Sequence, residues 1–267
     1  MMINKPMIGV AAAVVVVAAG TWYWLQSRQS TLPRVPVTAQ QPAPAGESSE
    51  PAIENPVPLG SGAAAEKTPL PTLADSDAAI GEALSQLVGA PAVKEYLLPE
   101  SVIRHIVVTV DNLPRPKAAV QKRPTNPVAG SFMANGDELH ATLDAQNFAR
   151  YQPWVAVVDK LDTRQLTALY VHFYPLFQQA YQDLGYPNGY FNDRLVQVID
   201  NLLAAPQPAA PIALARPNVM YTFADPALES RSAGQKLLIR MGPDNAAVIK
   251  AKLKELRAAI AAAAPKR

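Results

Sequence analysis

Residues 162–203 read DTRQLTALYVHFYPLFQQAYQDLGYPNGYFNDRLVQVIDNLL, and this stretch decides the fold class. Asp162-Thr163-Arg164-Gln165 has the form of a capping box, in which a short polar side chain satisfies the free N–H groups of a helix start. From there Leu166, Leu169, Tyr170, Phe173, Tyr174, Leu176, Phe177, Ala180, Tyr181 and Leu184 return at helical spacing to one face. His172, Gln178, Gln179, Gln182 and Asp183 take the other face. Pro175 removes a backbone donor in the middle, so a kink or break is expected there. Gly185 and Pro187 end the helix. A second helix over 190–203 places Leu195, Val198, Ile199 and Leu202 inward. Two amphipathic helices in succession predict a mainly helical domain.

The flanks extend that reading. Asp75 and Ser76 precede a helix with Ile80, Leu84, Leu87 and Val88 inward, ended by Gly89-Ala90-Pro91. Residues 100–113 form another, with Val102, Ile103, Ile106, Val107, Val110 and Leu113 on one face. After a proline-rich loop, 131–134 and 138–142 flank Asn135-Gly136, a pair suited to a two-residue type I′ hairpin turn. Asp144 can cap a helix carrying Phe148 and Tyr151, and Pro153 can open the next one. Residues 212–223 alternate weakly and suit one or two short strands. Ser232–Gln235 repeats the capping-box pattern for a helix through Met241, stopped by Gly242. Pro243 opens the last helix, whose Ile249, Leu253, Leu256 and Ile260 form an apolar seam with Lys250, Lys254 and Arg257 opposite. The expected class is mainly α (α+β), a helical domain with a small β-hairpin or sheet.

Ahead of this domain lie three segments of different composition. After a short tail, 1–6, residues 7–25 read MIGVAAAVVVVAAGTWYWL, without a charge. As a helix they reach roughly the 30 Å of a hydrocarbon core. Trp22, Tyr23 and Trp24 sit at the edge, where amphipathic rings favour the headgroup layer. The segment reads as an uncleaved single-pass anchor in contact with inner-membrane lipid; a cleaved signal peptide is the rival reading. Residues 26–72 read as a disordered Pro/Ala-rich linker: nine of the 26 prolines fall within 30–72, with almost no aromatic or branched residue to bury. Residues 73–267 form the folded domain.

Composition narrows the chemistry. The chain has no Cys, which excludes disulfides, thiolate metal sites and cysteine nucleophiles. A net charge of +2 is too near neutral to suggest nucleic-acid binding by itself. From Arg231 onward nine basic residues face two acidic ones, and a solvated helix face accounts for that excess more simply than contact with anionic lipid or nucleic acid does. His105, His140 and His172 are 35 and 32 residues apart, so the H-x-x-x-H spacing of a metal pair is absent, and no metal site and no cofactor is expected. No P-loop, G-x-G-x-x-G or G-x-S-x-G occurs. Eleven of the 18 aromatics fall between Phe148 and Phe191, mostly as core. Tyr174 and Tyr181 at the edge of the arc, with Tyr186, Tyr190 and Asn192 in or after the turn, can line a groove for a peptide or sugar-like ligand. Asp111, Asp193, Asp200 and Asp225 are the carboxylates available for acid–base work. For Asp111 and Asp193, a capping bond or an ion pair with Arg115 or Arg194 is the ordinary use.

The blocks TVDNLPRPK (109–117), FYPLFQQAYQDLGYPNGYFNDRLVQVIDNLL (173–203) and YTFADPALESRSAGQKLLIRMGPDNAAVIKAKLKELRAAI (221–260) resemble the bacterial family catalogued as domain of unknown function number 3014. The resemblance covers about residues 70–262. It implies a single-pass envelope protein of Gram-negative bacteria and supplies no activity, cofactor or catalytic residue. Its signature positions here are Asp111, Asn112, Pro114, Arg115, Lys117, Tyr174, Gln178, Tyr181, Tyr190, Asn192, Asp193, Arg194, Gln235, Arg240 and Asn245. Together these readings single out Asp111, Arg115, Tyr174, Tyr190, Asn192, Asp193 and Arg194 as candidate ligand-binding residues, with no catalytic residue assigned. The expectation is a non-enzymatic binding or scaffolding domain displayed in the periplasm, taking an envelope protein or cell-wall component. The alternatives are a hydrolase or lyase of envelope polymers using Asp193 or Asp111 with tyrosines, and an assembly role in which the last helix pairs with another copy.

Overall fold

A computed structural model describes residues 52–57, 69–137 and 140–262. The expected anchor at 7–25 lies outside these residues. No helix among the described residues is long and apolar enough to cross a membrane.

The described chain is mainly helical, with two small hairpins. Its helices are α1 (Ser76–Val88), α2 (Ala90–Tyr96), α3 (Val102–Asn112), α4 (Gln146–Asp159), α5 (Thr163–Asp183), α6 (Phe191–Leu203), α7 (Pro226–Glu229), α8 (Ala233–Arg240) and α9 (Pro243–Ala262). Strands β1 (Ala134–Asn135) and β2 (Thr142–Leu143) pair antiparallel, as do β3 (Leu214–Ala215) and β4 (Thr222–Phe223). A bridge between Thr142 and Ala213 joins the two hairpins.

Local chemistry places most of these elements. Asp162 Oδ1 accepts from the N–H of Arg164 at 2.8 Å and of Gln165 at 3.0 Å, which starts α5 where the sequence indicates. Ser232 Oγ accepts from Gln235 N and starts α8. Gly242, at φ 89°, turns the chain between α8 and α9.

Gly89 ends α1 as expected, and its positive φ turns the chain directly into α2. Two other expectations are corrected and a third is narrowed. Pro153 lies inside α4 rather than opening a new helix. Pro175 does not break α5; it sits on the exposed face, where water can serve the carbonyl it leaves unbonded. The first hairpin pairs Ala134 with Leu143 and Asn135 with Thr142, so six residues separate its strands instead of an Asn-Gly turn. Asp137 closes that wider loop by accepting from His140 N at 2.9 Å.

The main core joins α1, α3, α4, α5, α6, α8 and α9. Ile249 and Leu253 of α9 are fully buried, and Leu256 and Ile260 nearly so. The apolar seam of α9 is therefore spent on α4, α5 and α6 within the chain, which removes it as a pairing surface for a second copy. The opposite face is only partly solvated. Lys250 Nζ donates to the carbonyl of Ala205, and Arg257 forms a two-pronged pair with Asp200. A smaller core of Ala141, Leu143, Leu214, Phe223 and Ile239 lies under the hairpins.

The stretch expected to act as a spacer holds one exception to its lack of buriable residues. Residues 54–57 lie against the helical domain, with Val57 only 8% exposed and part of its main core.

Candidate functional site

The site is built where α5 hands over to α6. Gln178, on the polar side of α5, makes the connection. Its Oε1 accepts from Tyr174 Oη at 3.0 Å and from Phe191 N at 2.9 Å, and its Nε2 donates to the carbonyl of Gly189 at 2.7 Å. One amide thus ties the end of the turn to the helix before it. Gly189 suits the close approach, since a Cβ there would lie 2.8 Å from the Tyr181 ring and 2.9 Å from Tyr186 Cβ. Aromatic packing completes the corner: Phe177 stacks on Phe191, and Tyr181 on Tyr186.

From this corner the first turn of α6 sends polar groups in two directions. One set surrounds Asp111, near the end of α3 and 2% exposed. Its carboxylate meets Arg115 Nη2 at 2.5 Å and Arg194 Nε at 3.1 Å. Arg194 Nη2 also donates to the Asp111 carbonyl at 2.8 Å, and Tyr186 Oη lies 3.3 Å from the carboxylate. Asp111 raises the Arg115 pKa, so the guanidinium is held charged. Backbone bonds from Ala233 N to Arg115 O and from Gly234 N to Leu113 O hold the loop that carries Arg115.

The second set is Tyr190, Asn192 and Asp193. Asn192 is completely buried. Tyr170 Oη donates to its Oδ1 at 2.9 Å, which leaves its Nδ2 as an outward-directed donor. Tyr174 is also buried, against Tyr190 at 5.6 Å between ring centroids. Burial first, then the Tyr190 hydroxyl, pushes the Tyr174 pKa well above the ordinary tyrosine value.

Residues 54–57 cover this second set. Asp193 accepts from Glu54 N at 3.1 Å, Asn55 N at 2.6 Å and Asn55 Nδ2 at 2.9 Å. Asn192 Nδ2 donates to the carbonyl of Asn55 at 2.9 Å. Tyr190 Oη accepts from Val57 N at 2.7 Å.

The candidates from sequence therefore fall into two adjoining groups. Asp111, Arg115 and Arg194 converge in an ion-pair network with Tyr186. Tyr190, Asn192 and Asp193 converge on a chain segment that bends at Glu54 and Asn55, with Tyr174 behind them as support. Asp111 and Asp193 do not face each other as a pair. Asp200 is paired with Arg257, and Asp225 caps α7 by accepting from Ala227 N. No group of three or more metal-ligand side chains occurs among the described residues. Sequence reasoning missed residues 54–57. The available signal was the nearness of Ile53 and Val57 to Asn55 in a stretch otherwise poor in branched side chains.

A family model described as "Protein of unknown function (DUF3014)" matches residues 102–257. No curated protein and no solved structure matches the chain.

Proposed function

Because the chain belongs to the DUF3014 family of unknown function, we propose a role from its own residues: a non-enzymatic binding domain. Residues 7–25 hold it at the inner membrane, and the domain stands in the periplasm. There the face from Tyr174 to Arg194 takes an envelope protein or cell-wall component.

One observation carries the binding reading: Tyr190 Oη, Asn192 Nδ2 and both carboxylate oxygens of Asp193 are directed to the backbone and amide of a chain segment. That is how a protein holds a peptide, by main-chain hydrogen bonds plus a pocket for one side chain. A hydrolase or lyase would need Asp111 or Asp193 available for proton exchange with substrate. Asp111 instead neutralises two arginines, and Asp193 serves three N–H donors. The uncharged 7–25 segment, with its aromatic edge, supports the membrane placement.

Two experiments test this reading. A reporter fused after residue 267 is expected to be active only in the periplasm; cytoplasmic activity overturns the placement. A photo-crosslinker at Tyr186, beside both groups, is expected to capture one defined envelope partner in cells, and that adduct should disappear with Asp193→Lys. Crosslinks that survive the substitution, or none at all, overturn the surface.

A further inference from the structure

We propose that the groove over Tyr190, Asn192 and Asp193 is a peptide site selective for Asn-Pro-apolar segments that bend at the Asn, and that residues 54–57 of this chain, bent at Glu54 and Asn55, are its resident occupant. An external partner would then carry such a segment and displace the resident one. The inference rests on the reading of this face as a binding site and adds both its ligand class and its regulation.

The selectivity follows from the contacts. Asp193 takes two successive backbone N–H groups and the side-chain amide of Asn55. Aspartate at position 55 would set two carboxylates against each other, and alanine would lose the side-chain bond. Asn192 reads the carbonyl of the same residue, with its orientation set from behind by Tyr170. Proline at 56 has no N–H to satisfy. The next N–H, from Val57, goes to Tyr190 Oη, and the Val57 side chain enters the core. The tripeptide recurs at Asn126-Pro127-Val128. There Asn126 is tied by its N to Tyr96 O and by its Nδ2 to Glu95 O, so that copy is committed elsewhere.

A segment tethered to its own site competes at high effective concentration, on the order of millimolar for a short connection. Resident occupancy therefore suppresses weak external ligands until the resident segment is released.

The test uses the full chain in detergent micelles and a fluorescent peptide of residues 51–58, PAIENPVP. In the unaltered chain, the amides of Glu54, Asn55 and Val57 are expected to be protected from hydrogen exchange, and Asp193→Asn should remove that protection. The release variant Asn55→Gly/Val57→Ser should bind the peptide at least about tenfold more tightly than the unaltered chain. Adding Asp193→Asn, or replacing the peptide's Asn by Ala, should abolish binding. Unprotected amides in the unaltered chain overturn the resident segment but leave the crosslinking test of the surface intact. Equal peptide binding by both chains overturns the competition while keeping a peptide site. No binding by the release variant, with its fold intact by circular dichroism, makes residues 54–57 a structural clasp and overturns the proposal. Protection lost on dilution would assign the contact to a second copy and overturn occupancy within one chain.

Discussion

Asp111 shows what a buried charge does in this domain. It is 2% exposed yet meets two guanidinium groups and a tyrosine hydroxyl, so its desolvation is offset by short, charge-assisted bonds. Removing it leaves Arg194, whose side chain is 23% exposed, without its carboxylate, whereas Arg115 at 49% can hydrate. Asp111→Ala is therefore expected to destabilise the fold by about 2–3 kcal/mol, below the range for breaking a fully buried pair. Urea unfolding of the variant checks this, and a change within about 0.5 kcal/mol, the size of an ordinary surface substitution, would refute it. The partnership of Asp111 with Arg115 was legible in sequence, because the two are four residues apart across a helix end. The involvement of Arg194 was legible only as an alternative, since charge pairing between separate helices depends on packing. The role of residues 54–57 was not legible, because one valine and one asparagine in a proline-rich segment gain meaning only beside Tyr190 and Asp193.

At the scale of elements, local signals and tertiary demands can be told apart. The starts of α5 and α8 were readable because capping is a contact between near neighbours in sequence: Asp162 with Arg164 and Gln165, Ser232 with Gln235. Pro153 and the hairpin turn were misread for the opposite reason. Trp154, Val155 and Val158 belong to the same core as Tyr151, so α4 continues through Pro153. Likewise Leu143 and Leu214 share the small hairpin core, and their register sets the loop between β1 and β2. Gly242 is the junction most exposed to mutation. Its φ of 89° is strained for a residue with a side chain, and a Cβ would lie 2.5 Å from the ring of Phe148. Gly242→Ala thus combines backbone strain with overpacking, and roughly 2–4 kcal/mol of destabilisation is expected. Gly81→Ala is the matched control, since its helical position offers open space and alanine favours helix. Thermal unfolding of the two variants should move in opposite directions.

The whole molecule is held without disulfides, so its pH response reports its packing. Tyr151, Tyr170, Tyr174 and Tyr181 come from α4 and α5, and burial is the main cause that raises the pKa of each above 10.0. A tyrosine that stays neutral in the fold and ionises near pH 10 in the unfolded chain binds more protons when folded. Its contribution is fully present below the unfolded pKa and is lost as pH rises above it. Stability from these groups should therefore be level up to about pH 9 and fall beyond about pH 10, by about 1.4 kcal/mol per pH unit for each tyrosine kept neutral. Tyr170 and Tyr174 lie in the middle of α5, against Phe177, Tyr190 and Asn192. Their phenolate absorbance at 295 nm should appear only with global unfolding. The discriminating measurement is urea unfolding at pH 9 and pH 11 for the unaltered chain and Tyr174→Phe. The substitution removes one titrating group, so the loss between the two pH values should shrink even if stability at pH 9 also falls through the missing bond to Gln178. An unchanged pH slope would mean that Tyr174 ionises in the folded protein, and its burial behind Tyr190 would then fail as the support of the peptide groove.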